Sequence, residues 1–452
     1  MRTLTRAKVG LAAVGAITLA VGLIAPAASA DYAPGPGDIV GVGSDTVQNA
    51  SDFVADGDNQ ADAGYNSAGN INRVINFDAT PDANARLAYG LGGPGGTNAC
   101  APGTGGTAGT GNQNTGHTDA PCVLNPTVVL RAGMNPVLRP NGSGAGTTAL
   151  LNDTCGPNPC ATGPFVINYA RRSSAAGSSA VSTAVTEFGG AGLDSVTIGN
   201  DGLAMLSSTT TNAVALSAAQ LNSIYACTAT TWTAVGGTSG ATIVPLLPQV
   251  GSGTRSSFLS AIGLASPGSC VANVEENDPE AIDQSSSPAN AIEPMSSGRL
   301  NLFQGINGSA NGSPSGPSGF GGYFKDPSCG FGVTSPAACV GSAKTLTPNV
   351  KYWTTGTPSS GTLFNINRSL FIYFRDVDVN STVPFQPGSS LNWVRTLFYN
   401  PCSGAGHTTG CGIVNGINYG PGGPPYYATS AGQALIASAG INATYSSTVG
   451  GP

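Results

Sequence analysis

Three short stretches hold the residues best suited to chemistry: Gly43-Ser44-Asp45-Thr46, Gly142-Ser143-Gly144-Ala145-Gly146-Thr147-Thr148 and Gly251-Ser252-Gly253-Thr254-Arg255. Each runs small residues and a Ser or Thr into a segment with helical patterning. A helix start leaves backbone N–H groups free and carries a partial positive charge. Glycine lets a ligand approach that backbone, and hydroxyls add donors. Several such starts converging on one cleft bind an oxyanion such as phosphate. With 66 Gly in 452 residues, one Gly-Ser-Gly means nothing; the set of three raises the question.

Other chemistries find less support. There is no Gly-x-Ser-x-Gly elbow, no His-Glu-x-x-His and no Gly-Lys-Ser/Thr phosphate loop among four lysines. The two histidines, His117 and His407, lie in Gly-rich, cysteine-bracketed stretches, poor ground for a Ser-His-Asp triad. Asp56-Gly57-Asp58-Asn59-Gln60-Ala61-Asp62 has a calcium-loop flavour but lacks the sixth-position Gly and twelfth-position Glu, so it reads as solvated loop. The chain reads as a non-enzyme with no cofactor and no metal.

Charge narrows the partners. Arg2, Arg6 and Lys8, the apolar run Val9 to Ala25 and the small-residue site Ala28-Ser29-Ala30 predict a signal peptide over residues 1–30. Its removal leaves 14 basic against 23 acidic residues, a net −9. Such a surface repels nucleic acid and anionic lipid, so an anion site must be built locally from helix ends and a few arginines. No second run is long enough to span a bilayer and no lipid-anchor cysteine follows the leader, so a secreted protein without stable membrane insertion is expected.

The ten cysteines fall in sequence-near pairs, Cys100/Cys122, Cys155/Cys160, Cys227/Cys270, Cys329/Cys339 and Cys402/Cys411. An even count in an exported chain reads as disulfides; the pairing is taken from proximity alone.

The elements that must position the three turns alternate. Strands are expected over 38–43, 71–77, 126–138, 165–170, 202–206, 242–247 and 364–374. Helices are expected over 47–55, from 147, over 217–225 with Ser217 as N-cap, over 254–262 and over 391–399. Gly90 to Pro121 and Gly305 to Gly322 read as surface insertions. Alternation predicts an α/β fold with mainly parallel sheets.

The order of these segments resembles the periplasmic phosphate-binding proteins of ABC transporters, within the type II solute-binding fold (a PBP-like domain). Five stretches carry the resemblance: Gly41-Val-Gly-Ser-Asp-Thr46, Leu138 to Thr147, Asn168-Tyr-Ala-Arg-Arg-Ser-Ser174, Leu216 to Tyr225 with Thr231 to Gly237, and Gly251 to Phe258. The resemblance implies a two-lobed clamp, lobe I being 31–203 with 366–452 and lobe II 204–365, each a mainly parallel sheet flanked by helices, with disulfide-pinned loop insertions at about 90–121 and 305–322. It implies that Ser44, Asp45, Thr46, Ser143 and Gly144 from the first lobe and Ser252, Gly253 and Thr254 from the second donate to one tetrahedral anion, with a transporter permease as a further partner. Charge-assisted hydrogen bonds of that kind contribute about 1.5–3 kcal/mol each.

The chain departs from that pattern in two places. Pro248 stands where the family commonly has an arginine, beside Gln249, and Ser173-Ser174 stand where it has a carboxylate that accepts the proton of hydrogen phosphate. Asp45 is the candidate acceptor, though an N-cap role fits it equally. Arg171, Arg172 or Arg255 are candidate cations, with Arg255 equally suited to pairing with a carboxylate. These departures, the missing tether and the large insertions motivate a runner-up reading, an extracellular or wall-associated interaction protein that keeps the fold with altered or lost ligand binding.

Overall fold

The computed structural model describes residues 34–57, 62–77, 79, 127–153, 165–299, 350–402 and 412–448, less short gaps at 69, 129, 132–136, 139, 275, 278–279, 284, 353–355, 380 and 415–416. The signal peptide, both insertions, Trp353, both histidines and seven cysteines (Cys100, Cys122, Cys155, Cys160, Cys329, Cys339 and Cys411) lie outside the described residues. Cys227 and Cys270 are bonded across 43 residues, as expected. Cys402 is also disulfide-bonded.

The first half starts with β1 (Ile39–Gly43), α1 (Asp45–Asp56) and β2 (Val74–Asn76). All five β1 residues are buried, which suits a strand sandwiched between layers. Two-residue strands β3 (Thr127–Val128) and β4 (Val137–Leu138) pair antiparallel. Next come α2 (Ser143–Leu151), β5 (Tyr169–Arg172) and α3 (Ser178–Phe188). The 16-residue strand β6 (Leu193–Ser208) then leads into the second half.

There, α4 (Ala218–Tyr225) is closed by a reciprocal capping box between Ser217 and Gln220. It is followed by β7 (Val244–Pro248), α5 (Gly253–Ala261), β8 (Ala272–Val274), α6 (Glu280–Asp283), β9 (Ala291–Ser296) and β10 (Val350–Tyr352). The chain returns along β11 (Ile366–Arg375), then α7 (Asp376–Val379), α8 (Trp393–Leu397), β12 (Gly412–Val414), β13 (Ile417–Tyr419), α9 (Ser430–Ser438) and β14 (Asn442–Thr448).

One sheet runs β2-β1-β5-β11-β6-β9-β7-β8, with β10 and β14 also on β6. It is parallel only towards its ends, where β1 pairs with β2 and β5, and β7 with β8 and β9. The middle, β5-β11-β6-β9, is antiparallel, so the expectation of mainly parallel sheets is corrected to a mixed sheet. The cause is the pair of long strands β6 and β11, which run in opposite directions and serve both halves.

The apolar cores divide along those strands. Val196 and Ile198 of β6 and Leu370, Ile372 and Phe374 of β11 pack with Val47, Phe53, Phe398 and Leu435. Leu203 and Met205, further along β6, pack instead with Leu221, Trp232, Leu247 and Phe258. Fully burying one such side chain is worth about 1.5–3 kcal/mol. The changeover leaves a polar stretch, Asn200-Asp201-Gly202, facing Asn367-Arg368-Ser369 in register. The tryptophans fit this packing: Trp232 is fully buried with its indole N–H on Asn290, and Trp393 stands edge-on to Phe374 and Phe398.

Candidate functional site

Ser44, Ser143 and Ser252 sit at the starts of α1, α2 and α5, and all three turns meet at the changeover between the cores. The second and third turns touch directly, Gly144 N–H donating to the Gly251 carbonyl at 2.9 Å. Gly142 makes this possible. Its φ of +100° and the Gly251 oxygen, 2.6 Å from where a Cβ would stand, both exclude a side chain. A Cβ on Gly253 would meet the hydroxyls of Ser173 and Ser143 at 2.2 and 2.3 Å. Ser143 Oγ in turn accepts from Ser173 N–H at 2.9 Å.

Ser252 Oγ caps α5 by accepting from Arg255 N–H at 3.0 Å. Ser44 makes no side-chain cap, and its fully buried hydroxyl has no hydrogen-bond partner among the described residues. Gln249, the neighbour of Pro248, braces the seam: it donates to Asn141 at 2.9 Å and accepts from Glu276 N–H at 2.8 Å.

Around Thr46 and Thr254 the buried polar groups are densely wired. Thr46 Oγ1 accepts from Asn277 Nδ2 at 3.1 Å and from Arg368 at 3.2 Å, and donates to Glu276 Oε1 at 3.2 Å. Arg368 also donates to Thr254 Oγ1 at 2.8 Å and pairs with Asp201 at 2.9 Å. Arg368 and Asp201 stand directly opposite in the β11/β6 ladder, which explains the pairing. Asp201 further accepts from Ser296 Oγ at 2.9 Å. Asp45 is the first residue of α1 rather than its N-cap, which is Ser44; its carboxylate accepts from Asn277 at 3.0 Å and faces Arg299 at 3.5 Å. Asn277 holds a φ of +57°, uncommon for a non-glycine, with its amide fixed between Asp45 and Thr46 on one side and Ser296 N–H on the other.

Glu276 is fully buried. Besides Thr46 it accepts from Thr254 N–H, in the first turn of α5, at 3.2 Å. Burial pushes its carboxyl above the usual carboxylate range and the neighbouring Asp45 charge adds to this, while the Thr254 bonds and Arg368 pull the other way.

The predicted arginines go elsewhere. Arg171 is fully buried and spends its guanidinium on the carbonyls of Phe77 (2.6 Å), Gly41 (3.3 Å), Ser44 (3.4 Å) and Gly43 (3.5 Å), bracing the first turn from behind. Arg172 braces the second turn through the carbonyls of Ser143, Ser174 and Ala175, at 3.0, 2.9 and 2.9 Å. Arg255 donates outward to Pro248 O and Asn273, both at 2.8 Å. The arginine that reaches Thr46 and Thr254 is Arg368, together with Glu276 and Asn277 a residue the sequence reading did not single out. Its signal was there, a lone charge inside the apolar strand Phe364 to Phe374.

Residues 105–308 match the family model described as a PBP superfamily domain. No curated protein matches the chain. Among solved structures, the chain is similar to a phosphate-binding protein from Stenotrophomonas maltophilia, at 12% identity over 90% of this chain and 91% of that one, TM-score 0.38. It is also similar to an ABC-type phosphate transport receptor from Vibrio cholerae, at 17% identity over 52% and 73%, TM-score 0.30. The ligand is therefore argued below from the chain's own residues. The family match and the α/β mixed sheet agree with the expected fold class.

Proposed function

We propose that the chain is an exported solute-binding protein, not an enzyme, that clamps phosphate or a similar tetrahedral oxyanion in the seam between its two halves. The observation that carries this reading is the meeting of three Gly/Ser helix starts beside one buried arginine. Oxyanions are held by such backbone and hydroxyl donors, with a cation fixing the charge. Ser44, Ser143, Ser173, Gly253, Thr254 and Arg368 supply the donors in this reading. Arg171 and Arg172 hold the turns in shape, and Arg368 stands in for the arginine displaced by Pro248. Lobes bounded at 31–203 with 366–452 and at 204–365 would part to admit the anion, and a transporter permease would receive it.

The test is calorimetry on protein stripped of ligand by unfolding and refolding. Phosphate should bind with micromolar or tighter affinity, as three or four charge-assisted bonds allow after closure costs. No heat with phosphate or sulfate would reject the reading.

A second reading, an extracellular or wall-associated interaction protein that keeps the fold with altered or lost ligand binding, is favoured by the engagement of Thr46 with Asn277, Arg368 and Glu276. Asp45→Asn separates the two: a receptor changes its anion affinity or selectivity, whereas an interaction protein has none to change.

A further inference from the structure

Glu276 occupies donors that an anion would need. Thr254 N–H lies in the first turn of α5, where an oxyanion is best received, and it points at Glu276 Oε1 at 3.2 Å. The Thr46 hydroxyl donates to the same oxygen at 3.2 Å, accepts from Asn277 and Arg368, and lies 3.3 Å from Thr254 Oγ1. A carboxylate therefore rests where one edge of an oxyanion would.

Charge counting sharpens the point. The groups around Glu276 are Asp45 on α1, Arg368 on β11 with Asp201 opposite on β6, and Arg299 after β9 facing Asp45. With these five ionised, three carboxylates stand against two guanidinium groups, and an ionised Glu276 disfavours a further anion beside it. A neutral Glu276 removes that charge and weakens its hold on the Thr254 and Thr46 donors. Burial and Asp45 favour that neutral form.

We infer that Glu276 is a built-in competitor for the anion, and that the seam admits an oxyanion only as Glu276 takes up a proton from solvent. The inference rests on the oxyanion reading above. It makes the protein a proton-coupled binder that loads in acid and releases as pH rises.

Sulfate is the decisive probe, since it does not itself titrate between about pH 5.5 and 8, and phosphate is run beside it. Calorimetry in two buffers of different protonation enthalpy counts protons taken up on binding. The unmodified protein should take up close to one proton per sulfate in the upper part of that range and lose about tenfold in affinity per pH unit there. Glu276→Gln, which keeps the shape, should bind at least about tenfold tighter near pH 8 with a flattened pH profile. Proton uptake in the unmodified protein needs no variant and tests the inference even if Glu276→Gln folds poorly. Anion binding without proton uptake, or unchanged by Glu276→Gln, overturns the inference and leaves the oxyanion reading standing. Weaker binding by Glu276→Gln also overturns it, making Glu276 a ligand contact. Silence from both proteins with both anions overturns the two together.

Discussion

Strands β6 and β11 carry two buried acidic clusters that solve the same problem in opposite ways. At the changeover between the cores, Asp201 has Arg368 at 2.9 Å, Asp45 has Arg299 at 3.5 Å, and hydroxyls and an amide fill in around them. At the far end of the same strands, Asp194 is buried beside the Asp376 carboxyl, and among the described residues no cation pairs with it. Burial, followed by the Asp376 carboxyl, pushes Asp194 up to about 7. Asp201 and Asp45 are met by cations, whereas Asp194 is biased towards its protonated form. The cluster at the changeover has hydroxyl, amide and guanidinium donors around its carboxylates, so protonation there can make room for another anion, whereas protonation of Asp194 makes the fold sensitive to pH.

The largest expected effect breaks the first cluster. Arg368→Met leaves Asp201 buried without its cation and removes donors from Thr46 and Thr254. Removing one partner of a buried pair typically costs about 3–5 kcal/mol. Urea unfolding should show a loss of that size, and calorimetry should show no anion binding. Adding Asp201→Asn should recover much of the stability but none of the binding. Full binding by Arg368→Met would move the anion away from the seam.

The second cluster is broken by pH. For an acid whose folded pKa is raised, the folded state binds more protons than the unfolded one, so stability is whole below the unfolded value near 4 and falls as pH rises through about 7. The slope is at most about 1.4 kcal/mol per pH unit for one proton, less whatever solvent screening removes. Asp194→Asn should flatten that slope and raise stability above neutral pH, read by denaturant midpoints across the range. Glu276 contributes a slope of the same sign, so Asp194→Asn together with Glu276→Gln should flatten the curve further than either alone. A curve that rises with pH would contradict both assignments.

The sequence made the turns legible and hid their wiring. Ser217, Ser252 and the glycines announce helix starts through local hydrogen bonding; Ser217 caps its helix as expected, and Ser252 caps α5 as well. The expected strand 202–206 covers only the end of β6, because Asp194, Asn200 and Asp201 carry turn signals; cross-strand pairing of Asp201 with Arg368 overrides them. Arg171 and Arg172 looked like ligand cations because they follow a strand at the cleft. Backbone carbonyls, which have no sequence signature, claim them instead. Glu276 escaped notice for the complementary reason: its partners lie 22 and 230 residues away, a separation no local pattern encodes.

Thr46→Val is the smallest break and the most discriminating. The Thr46 hydroxyl joins Asn277, Arg368 and Glu276, yet each keeps another partner without it: Asp45 for Asn277, Asp201 for Arg368 and Thr254 N–H for Glu276. No buried group is orphaned, so the cost should be about 1 kcal/mol, that of an ordinary hydrogen bond. An ionised Glu276 loses an O–H donor, so its carboxyl should move further up and the fall of stability should extend to higher pH. Unfolding curves on either side of neutrality measure both effects at once. A loss above about 3 kcal/mol would make the Thr46 hydroxyl, rather than the Arg368–Asp201 pair, the group that holds the seam, and the contrast with Asp194 would then be one of hydroxyls against protons.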